Sequence, residues 1–141
     1  MPNRLAKDKE TENAMKKLGK KLAECRSKRS LRNVSDPCGI PASQLLSIEN
    51  GTLAPTSEVY AKLLITLNPT DRQRSDMDYL FMAIRKIPPP DVCEAIVNCP
   101  GLISAIRTVA GIALTKQQIE KLNSLLASFA QENTKGDADN G

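Results

Sequence analysis

The sequence predicts an all-α protein packed mainly with aliphatic side chains. Aromatic residues make up only 3% of the chain and tryptophan is absent, so the core must be built from Leu, Ile, Ala and Met. These residues recur at spacings of three and four, the period of a helix that buries one face. No stretch alternates apolar and polar residues for long enough to predict a strand.

Chain breaks divide the predicted helices into two groups. At 141 residues the chain suits one domain, or a small domain with an appendage. The strongest break is Asn68-Pro69, because the residue before a proline is biased away from the helical conformation. The expected segments are a flexible N-terminal arm at 1–10, a first domain at 11–68, a helical region at 69–131, and a disordered tail at 132–141.

Positive charge is concentrated in the first half of the chain. Residues 1–70 hold 12 Lys and Arg against 7 Asp and Glu, a net +5, whereas residues 71–141 hold 8 against 9, a net −1. This asymmetry suits a polyanionic partner for the N-terminal half; an ordinary solvated helix face is the alternative interpretation. Most of the excess comes from Lys16, Lys17, Lys20, Lys21, Arg26, Lys28, Arg29 and Arg32.

The sequence shows no arrangement of residues suited to catalysis or metal binding. It has no histidine, no Gly-rich phosphate loop and no nucleophile motif such as G-x-S-x-G. Its four cysteines, Cys25, Cys38, Cys93 and Cys99, form no C-x-x-C pair and are expected to be reduced thiols. We therefore expect no enzyme activity, no catalytic residue, no metal and no cofactor.

The chain has no apolar run long enough for a membrane span and no apolar segment near its start that would act as a secretory signal. These features predict a cytoplasmic location and no membrane partner.

Four helices are predicted in the first domain. Thr11 and Ser30 are suitable caps for the first two, and Thr56 or Ser57 caps the fourth. The first helix buries a stripe that includes Leu18 and Leu22. The predicted spans are Thr11 to about Lys28, Leu31 to about Cys38, Ala42 to Asn50, and Pro55 to about Leu67.

The stretch from Ser30 to Asn50 has the spacing of two short helices joined by a tight turn. Counting Leu31 as the first position, the fifth is a small residue, Ser35, where two crossing helices approach closely. The ninth is Gly39, where the chain turns and often needs φ > 0. Apolar residues fill the other contact positions, namely Val34, Cys38, Ile40, Leu45 and Ile48. This spacing is typical of a helix-turn-helix.

The residues around this stretch resemble a known family. The run LLSIENG at 45–51, followed by Pro55-Thr56, is similar to the I-S-x-I-E-x-G-x-x-x-P-S run of the xenobiotic-response-element family, the DNA-binding domains of lambda-type (Cro/CI) repressors. The run LGKKL at 18–22, followed by Arg26, is similar to the first helix of that family. The resemblance covers about residues 14–67. It implies a lambda-repressor-like helix-turn-helix domain in a bacterial or phage-encoded protein that associates with the nucleoid when bound to DNA.

The resemblance also implies roles for individual residues. In the family, the arginine that matches Arg26 pairs with the glutamate that matches Glu49, so an ion pair should join the first and third helices. If the third helix enters a major groove, the base-reading residues are Ala42, Ser43, Gln44 and Ser47. The residues expected at the DNA backbone are Lys20, Lys21, Arg29, Arg32, Asn50, Gly51, Thr52 and Lys62.

Two features depart from the family pattern. Pro37 falls late in the second helix, where it removes a backbone donor, and the link before this helix is shorter than usual. The second helix should therefore be short or distorted. The third helix contains no Lys or Arg, so the commonest specific contact to guanine is missing from it.

Beyond residue 69 the pattern stays helical. Capping boxes at Thr70 with Gln73 and at Thr115 with Gln118 open two of the predicted helices. The proline run at 88–90 forms a corner between helices, and the tail has nothing to bury. The remaining predicted helices are 91–98 and about 101–110, the latter with Leu102, Ile103, Ile106 and Val109 facing inward.

On the last predicted helix, Ile119, Leu122, Leu126 and Phe129 step by three and four. This apolar stripe is the predicted dimer interface, in a region that dimerises or binds a partner protein.

Three functions remain open from the sequence. The first is a sequence-specific DNA-binding transcriptional regulator, a repressor acting as a homodimer on a roughly palindromic operator with half-sites ~34 Å apart. The second is a protein-binding adaptor or antiactivator with the same fold, which the neutral third helix and its outward Leu46 favour. The third is the antitoxin of a toxin–antitoxin pair, which binds both DNA and a toxin.

Overall fold

The computed structural model describes residues 2–139, with side chains described for residues 8–134. Every regular element in this range is a helix and no strand occurs there, so the predicted all-α class is confirmed for the described residues. The helices are α1 Pro2–Arg26, α2 Leu31–Ser35, α3 Ala42–Glu49, α4 Ser57–Leu67, α5 Asp71–Arg85, α6 Pro90–Asn98, α7 Leu102–Ala110 and α8 Lys116–Asp139. None of them is long and apolar enough to cross a membrane.

The chain forms two compact units, which we call unit 1 (residues 1–98) and unit 2 (residues 99–141). The break predicted at Asn68-Pro69 does not separate them. The chain turns at Asn68, which adopts a left-handed conformation with φ of 48°, but α5 then packs back onto α1. Met77 and Phe81 of α5 are fully buried in the same core as α1 and α4, so α5 belongs to the first unit.

Aliphatic side chains from α1 to α5 form the core of unit 1, together with one aromatic pair. The ring of Tyr60 stacks on that of Phe81, with centroids 4.4 Å apart. The predicted stripe residues Leu18 and Leu22 of α1 are each 1% exposed. The other fully buried residues are Val34, Ser35, Cys38, Leu45, Ile48, Leu63 and Met77.

The predicted helix caps at Ser30, Thr56, Thr70 and Thr115 are confirmed, whereas Thr11 lies inside α1 and caps no helix. The hydroxyl groups of Ser30 and Thr56 accept hydrogen bonds from the backbone amides of Asn33 and Val59. Thr70 and Gln73 form a reciprocal capping box, and Thr115 and Gln118 make the same two bonds. Capping is local chemistry, so the sequence is enough to predict it.

The chain from the end of α2 to the start of α3 contains a buried small residue and a glycine with positive φ. α2 ends at Ser35, before Pro37, so the expectation of a short second helix is confirmed. Ser35 is completely buried, and Gly39 has a φ of +68°, a conformation that glycine adopts without strain.

Both predicted flexible ends contain helix in the structure. α1 begins at Pro2 rather than at Thr11, and α8 continues to Asp139 through most of the segment predicted to be a disordered tail. Residues 1, 140 and 141 lie outside the described residues. Proline is favourable in a first turn, and the run of Leu, Ala, Lys and Glu that follows it has high helix propensity. Residues 2–10 are therefore helical although they have no sustained apolar face.

In unit 2, no residue with a described side chain is buried. The stripe of α7 was predicted to face inward, but its four large side chains are 38–46% exposed. That prediction was wrong because periodicity shows which face of a helix is apolar and does not show what covers it. The four large apolar residues of the stripe are Leu102, Ile103, Ile106 and Val109.

Candidate nucleic-acid interface

The third helix is fixed by its inner face and accessible on its outer face. Leu45 and Ile48 are each 1% exposed and anchor α3 in the core of unit 1. Ser43 is exposed, and Ala42, Gln44 and Ser47 are partly exposed. All four predicted base-reading residues therefore remain at the surface.

The polar side chains of this face have free hydrogen-bonding capacity. Among the described residues, the side chains of Ser43 and Gln44 have no hydrogen-bond partner. The hydroxyl group of Ser47 donates to the backbone oxygen of Ser43 at 3.1 Å, which leaves its lone pairs available as acceptors. Ser43 and Gln44 can each donate and accept, so they are better suited to base edges than Ser47.

The ion pair predicted between Arg26 and Glu49 is present. Nε of Arg26 donates to Oε1 of Glu49 at 2.7 Å and lies 3.3 Å from Oε2. The carboxylate side chain is 5% exposed and the arginine side chain 22% exposed. Because the pair is largely desolvated, its main effect is to fix the end of α1 against the end of α3.

A close backbone contact reinforces this crossing. A Cβ at Gly19 would collide with the backbone oxygens of Ile48 and Glu49. A Cβ at Gly51, whose φ is +77°, would lie 2.6 Å from Cα of Lys16. Only glycine allows α1 and the end of α3 to approach this closely. The packing role of Gly19 was missed, although a glycine beside the buried stripe of a long helix is a signal of close packing.

The Lys and Arg residues predicted to contact the DNA backbone differ in whether they already form ion pairs within the protein. Lys20 and Arg32 are exposed and have no ion-pair partner among the described side chains. Lys21 lies 3.7 Å from Asp76, and Lys62 lies 3.2 Å from Glu58. The side chains in these two pairs are 40–78% exposed, so the pairs are weak and a phosphate group can compete for the lysines.

The side chain of Arg29 is engaged in hydrogen bonds within unit 1. Its guanidinium donates to the backbone oxygens of Arg26, Thr66 and Cys25 at 3.4, 3.2 and 3.1 Å. These bonds satisfy carbonyl groups at the end of α1 and tie it to the end of α4. A phosphate contact from Arg29 would require these bonds to break.

Two other predicted backbone contacts are used to cap α3. The amide of Gly51 donates to the oxygen of Ile48, and both the amide and the hydroxyl of Thr52 donate to the oxygen of Ser47. The side chain of Asn50 is exposed and makes no hydrogen bond to a described residue. Of the three predicted rim residues, only Asn50 therefore presents a free polar group.

Lys16 was not among the predicted backbone contacts, but the structure places it beside them. Its backbone and Cγ lie against Gly51, so this exposed lysine is next to the end of α3. The sequence placed Lys16 in the basic cluster but not at this location, because the crossing of α1 over α3 is a long-range contact.

α5 makes hydrogen bonds to the segment that follows α3 and to α4. Nε and Nη2 of Arg85 donate to the backbone oxygens of Pro55 and Ala54, each at 2.9 Å, in the segment that follows α3. The hydroxyl of Tyr60 donates to Oδ1 of Asp78 at 2.8 Å, which joins α4 to α5. Burial raises the pKa of Tyr60 above its ordinary value, and the neighbouring carboxylate of Asp78 raises it further.

A cleft of about 520 Å³ lies elsewhere in unit 1, between α4, α5 and α6. Ile65 forms part of an apolar wall, and Arg74 and Asp91 at its edge form an ion pair at 2.9 Å. The cleft contains no nucleophile–base pair and none of the predicted DNA-contacting residues.

The described residues contain no cluster of three His, Cys, Asp or Glu side chains placed to hold a metal ion. All four cysteines are free thiols, and burial raises the pKa of Cys25. Comparison with protein-family models, with curated proteins and with solved structures gives no match for this chain. Its function is accordingly inferred from its own residues.

Proposed function

We propose that unit 1 is a helix-turn-helix module of the lambda-repressor-like type, that it binds specific DNA sequences, and that the protein is a transcriptional repressor. The observation that carries the proposal is the arrangement around α3. This helix is anchored in the core by Leu45 and Ile48, its polar outer face is accessible, and Lys16 of α1 lies beside its end.

In this proposal α3 enters the major groove. Ser43 and Gln44 meet base edges, and the small side chain of Ala42 lies against a thymine methyl group. Lys16, Lys20 and Arg32 contact phosphate groups on either side, which position the module without reading sequence. The rigid crossing of α1 and α3 holds these two sets of contacts in a fixed relation.

The absence of Lys and Arg from α3 has an energetic consequence. Each good base contact contributes ~1–3 kcal/mol of discrimination, and serine contacts fall at the low end of that range. One copy of unit 1 therefore discriminates weakly. A homodimer on a roughly palindromic operator, with half-sites ~34 Å apart, doubles the number of contacts.

Titration of the full chain with random duplex DNA at increasing salt tests whether it binds DNA. Binding should weaken steeply with salt, because Lys and Arg contacts release counterions from the phosphates. The variant Lys20→Gln with Arg32→Gln should bind every duplex more weakly and reduce the slope of log K against log salt by roughly 1–2 for each bound module. The control is Lys121→Gln in α8, an exposed lysine outside the proposed surface that should leave the slope unchanged.

Selection of bound sequences from a random pool tests base reading. The variant Ser43→Ala with Gln44→Ala should lose discrimination among the selected sites while keeping the non-specific affinity of the unmodified chain. Absence of duplex binding even at low salt would contradict the proposal.

A second function, a protein-binding adaptor or antiactivator, is favoured by one observation. Leu46 on the outer face of α3 is 44% exposed and Leu53, shortly after it, is 41% exposed. Apolar side chains at the centre of a surface are more typical of protein interfaces than of phosphate contacts. Two results together would support this alternative. The unmodified chain would not bind duplex DNA at low salt, and the variant Leu46→Ser would no longer bind a protein partner that the unmodified chain binds.

A further inference from the structure

We infer that unit 2 is a self-association module, in which the apolar stripes of α7 and α8 are covered by the same stripes of a second copy of this chain. The inference extends the proposed function by naming the surface and the partner. It draws on that function only for the expectation of two copies on one operator, and it can be tested without DNA.

The first stripe belongs to α7. Leu102, Ile103, Ile106 and Val109 share one face of this helix, and their exposed fractions range from 38 to 46%. A nine-residue helix is too short to be stable by itself in water, and its stability normally comes from packing its apolar face. Within unit 2 this packing is incomplete, because none of the four side chains is buried.

The second stripe belongs to α8 and runs through the residues predicted as a dimer interface. Ile119, Leu122, Leu126 and Phe129 are 37–52% exposed. α7 and α8 follow one another in the chain, separated by residues 111–115. Unit 2 therefore carries two successive amphipathic helices and no buried core among its described side chains.

The exposed apolar area matches what a stable dimer needs. The eight stripe residues and their neighbours Ile112 and Leu125 are 37–52% exposed, and these ten side chains together present on the order of 700 Å². A standard interface takes ~800 Å² from each partner, whereas the largest apolar patch on a typical monomer is ~300–600 Å². Covering both stripes together with Ile112 and Leu125 thus provides an interface of nearly ordinary size.

Charge also favours a second copy over a highly charged partner. Residues 99–134 hold three basic residues, Arg107, Lys116 and Lys121, against two acidic ones, Glu120 and Glu132, a net +1. Two copies of so nearly neutral a surface meet with little repulsion. Two helices from each copy would give four helices around a shared apolar core, a common arrangement for amphipathic helices.

The test is the mass of the full chain in solution, measured by sedimentation at several concentrations. The unmodified chain should be a dimer. The variant Ile106→Lys with Leu126→Lys places a charge in each stripe and should raise the dimer dissociation constant by at least ~100-fold, since each change removes a buried apolar side chain. The milder Leu126→Ala should raise it about tenfold.

The control is Ile65→Lys, which makes the same change at a residue of unit 1 that is 81% exposed. It should remain dimeric. Near-ultraviolet circular dichroism of the buried Tyr60 and Phe81 should show that unit 1 is folded in every variant.

A monomeric unmodified chain at ~100 µM would overturn the inference, because a standard interface gives tighter association than that. A dimer that survives the two lysines, or that Ile65→Lys dissociates equally well, would overturn it too. Failure of DNA binding is a separate result. A dimer without duplex affinity would leave this inference standing and contradict the proposed function. A monomer that binds duplex DNA would overturn this inference and leave the DNA binding of unit 1 standing.

Discussion

Unit 1 and unit 2 have similar helical patterns but differ in what their apolar faces contact. In unit 1, Met77 and Phe81 of α5 are completely buried, whereas in unit 2 Ile103 and Ile106 of α7 are 38% and 46% exposed. In sequence the two stripes look alike. The comparison teaches that an amphipathic helix has a defined inner face only after another element crosses it.

The polar contacts of the two units differ in the same way. In unit 1 they join helices distant in sequence, as in the bond from Tyr60 to Asp78 and those from Arg85 to the segment after α3. Among the described residues of unit 2 the side-chain hydrogen bonds are local, such as the capping bonds of Thr115 and Gln118. Long-range polar bonds fix one arrangement of the helices, and local bonds only define where helices begin and end.

Leu63→Ala and Leu126→Ala give the largest contrast between the units. Leu63 is completely buried, so its truncation should lower the free energy of unfolding of unit 1 by about 3 kcal/mol. Leu126 is 52% exposed, so at concentrations where the chain is monomeric its truncation should cost less than about 0.5 kcal/mol. Denaturant titration measures both values, and equal losses would show that unit 2 has a core of its own.

Gly19→Ala examines the tightest contact of unit 1. The new methyl group meets backbone oxygens that have little room to move, so we expect a net loss of about 2–3 kcal/mol despite a gain of about 1 kcal/mol in helix propensity. Gly101→Ala in unit 2 is the matched control, since a Cβ there has no neighbour within 4 Å. Thermal unfolding measures the stability of both variants. A Gly19→Ala protein as stable as the unmodified chain would disprove the close crossing of α1 and α3.

Arg26→Ala tests the ion pair that joins α1 to α3. It leaves the carboxylate of Glu49 largely buried without its partner and should cost about 2 kcal/mol. Adding Glu49→Gln should recover part of this loss, because the buried group is then neutral. Lys62→Ala, which breaks the exposed pair with Glu58, should cost at most about 0.5 kcal/mol. Similar losses from the two alanine variants would mean that burial does not distinguish the pairs.

Tyr60→Phe is expected to have the smallest effect and the clearest dependence on pH. Near neutral pH it removes one hydrogen bond to Asp78 and should cost about 1 kcal/mol. Burial raises the pKa of Tyr60 in the folded state, so the stability linked to its protonated form is fully present below about pH 10, where the unfolded phenol begins to ionise, and falls as pH rises further.

The Phe variant should lose less stability than the unmodified chain between about pH 10 and 11. Parallel curves of unfolding free energy against pH for the two proteins would contradict this assignment. Cys25, whose pKa is also raised by burial, is present in both proteins and cancels in the comparison.

Local features of the fold are predictable from the sequence. The caps at Ser30, Thr56 and Thr70 depend on residues three positions apart, and the early end of α2 follows from Pro37. The ion pair between Arg26 and Glu49 could be predicted only from the resemblance to a known family. Spacing alone does not bring two residues 23 positions apart into contact.

Features that depend on long-range packing were not predictable. The sequence does not show that α5 joins the core of unit 1, or that Gly19 touches the end of α3. It also did not show that the guanidinium of Arg29 is held by three carbonyl groups. Each of these depends on how helices cross, and a periodic pattern contains no information about crossing.

The two bonds from Arg85 to Ala54 and Pro55 determine where the chain can be shortened for work on DNA binding alone. A fragment that stops at Asn68 loses these donors and exposes the ring of Tyr60 to water. A fragment that stops at Asn98 keeps both. Crystallisation trials or spectroscopic titrations with one isolated half of this protein should therefore begin from the longer piece.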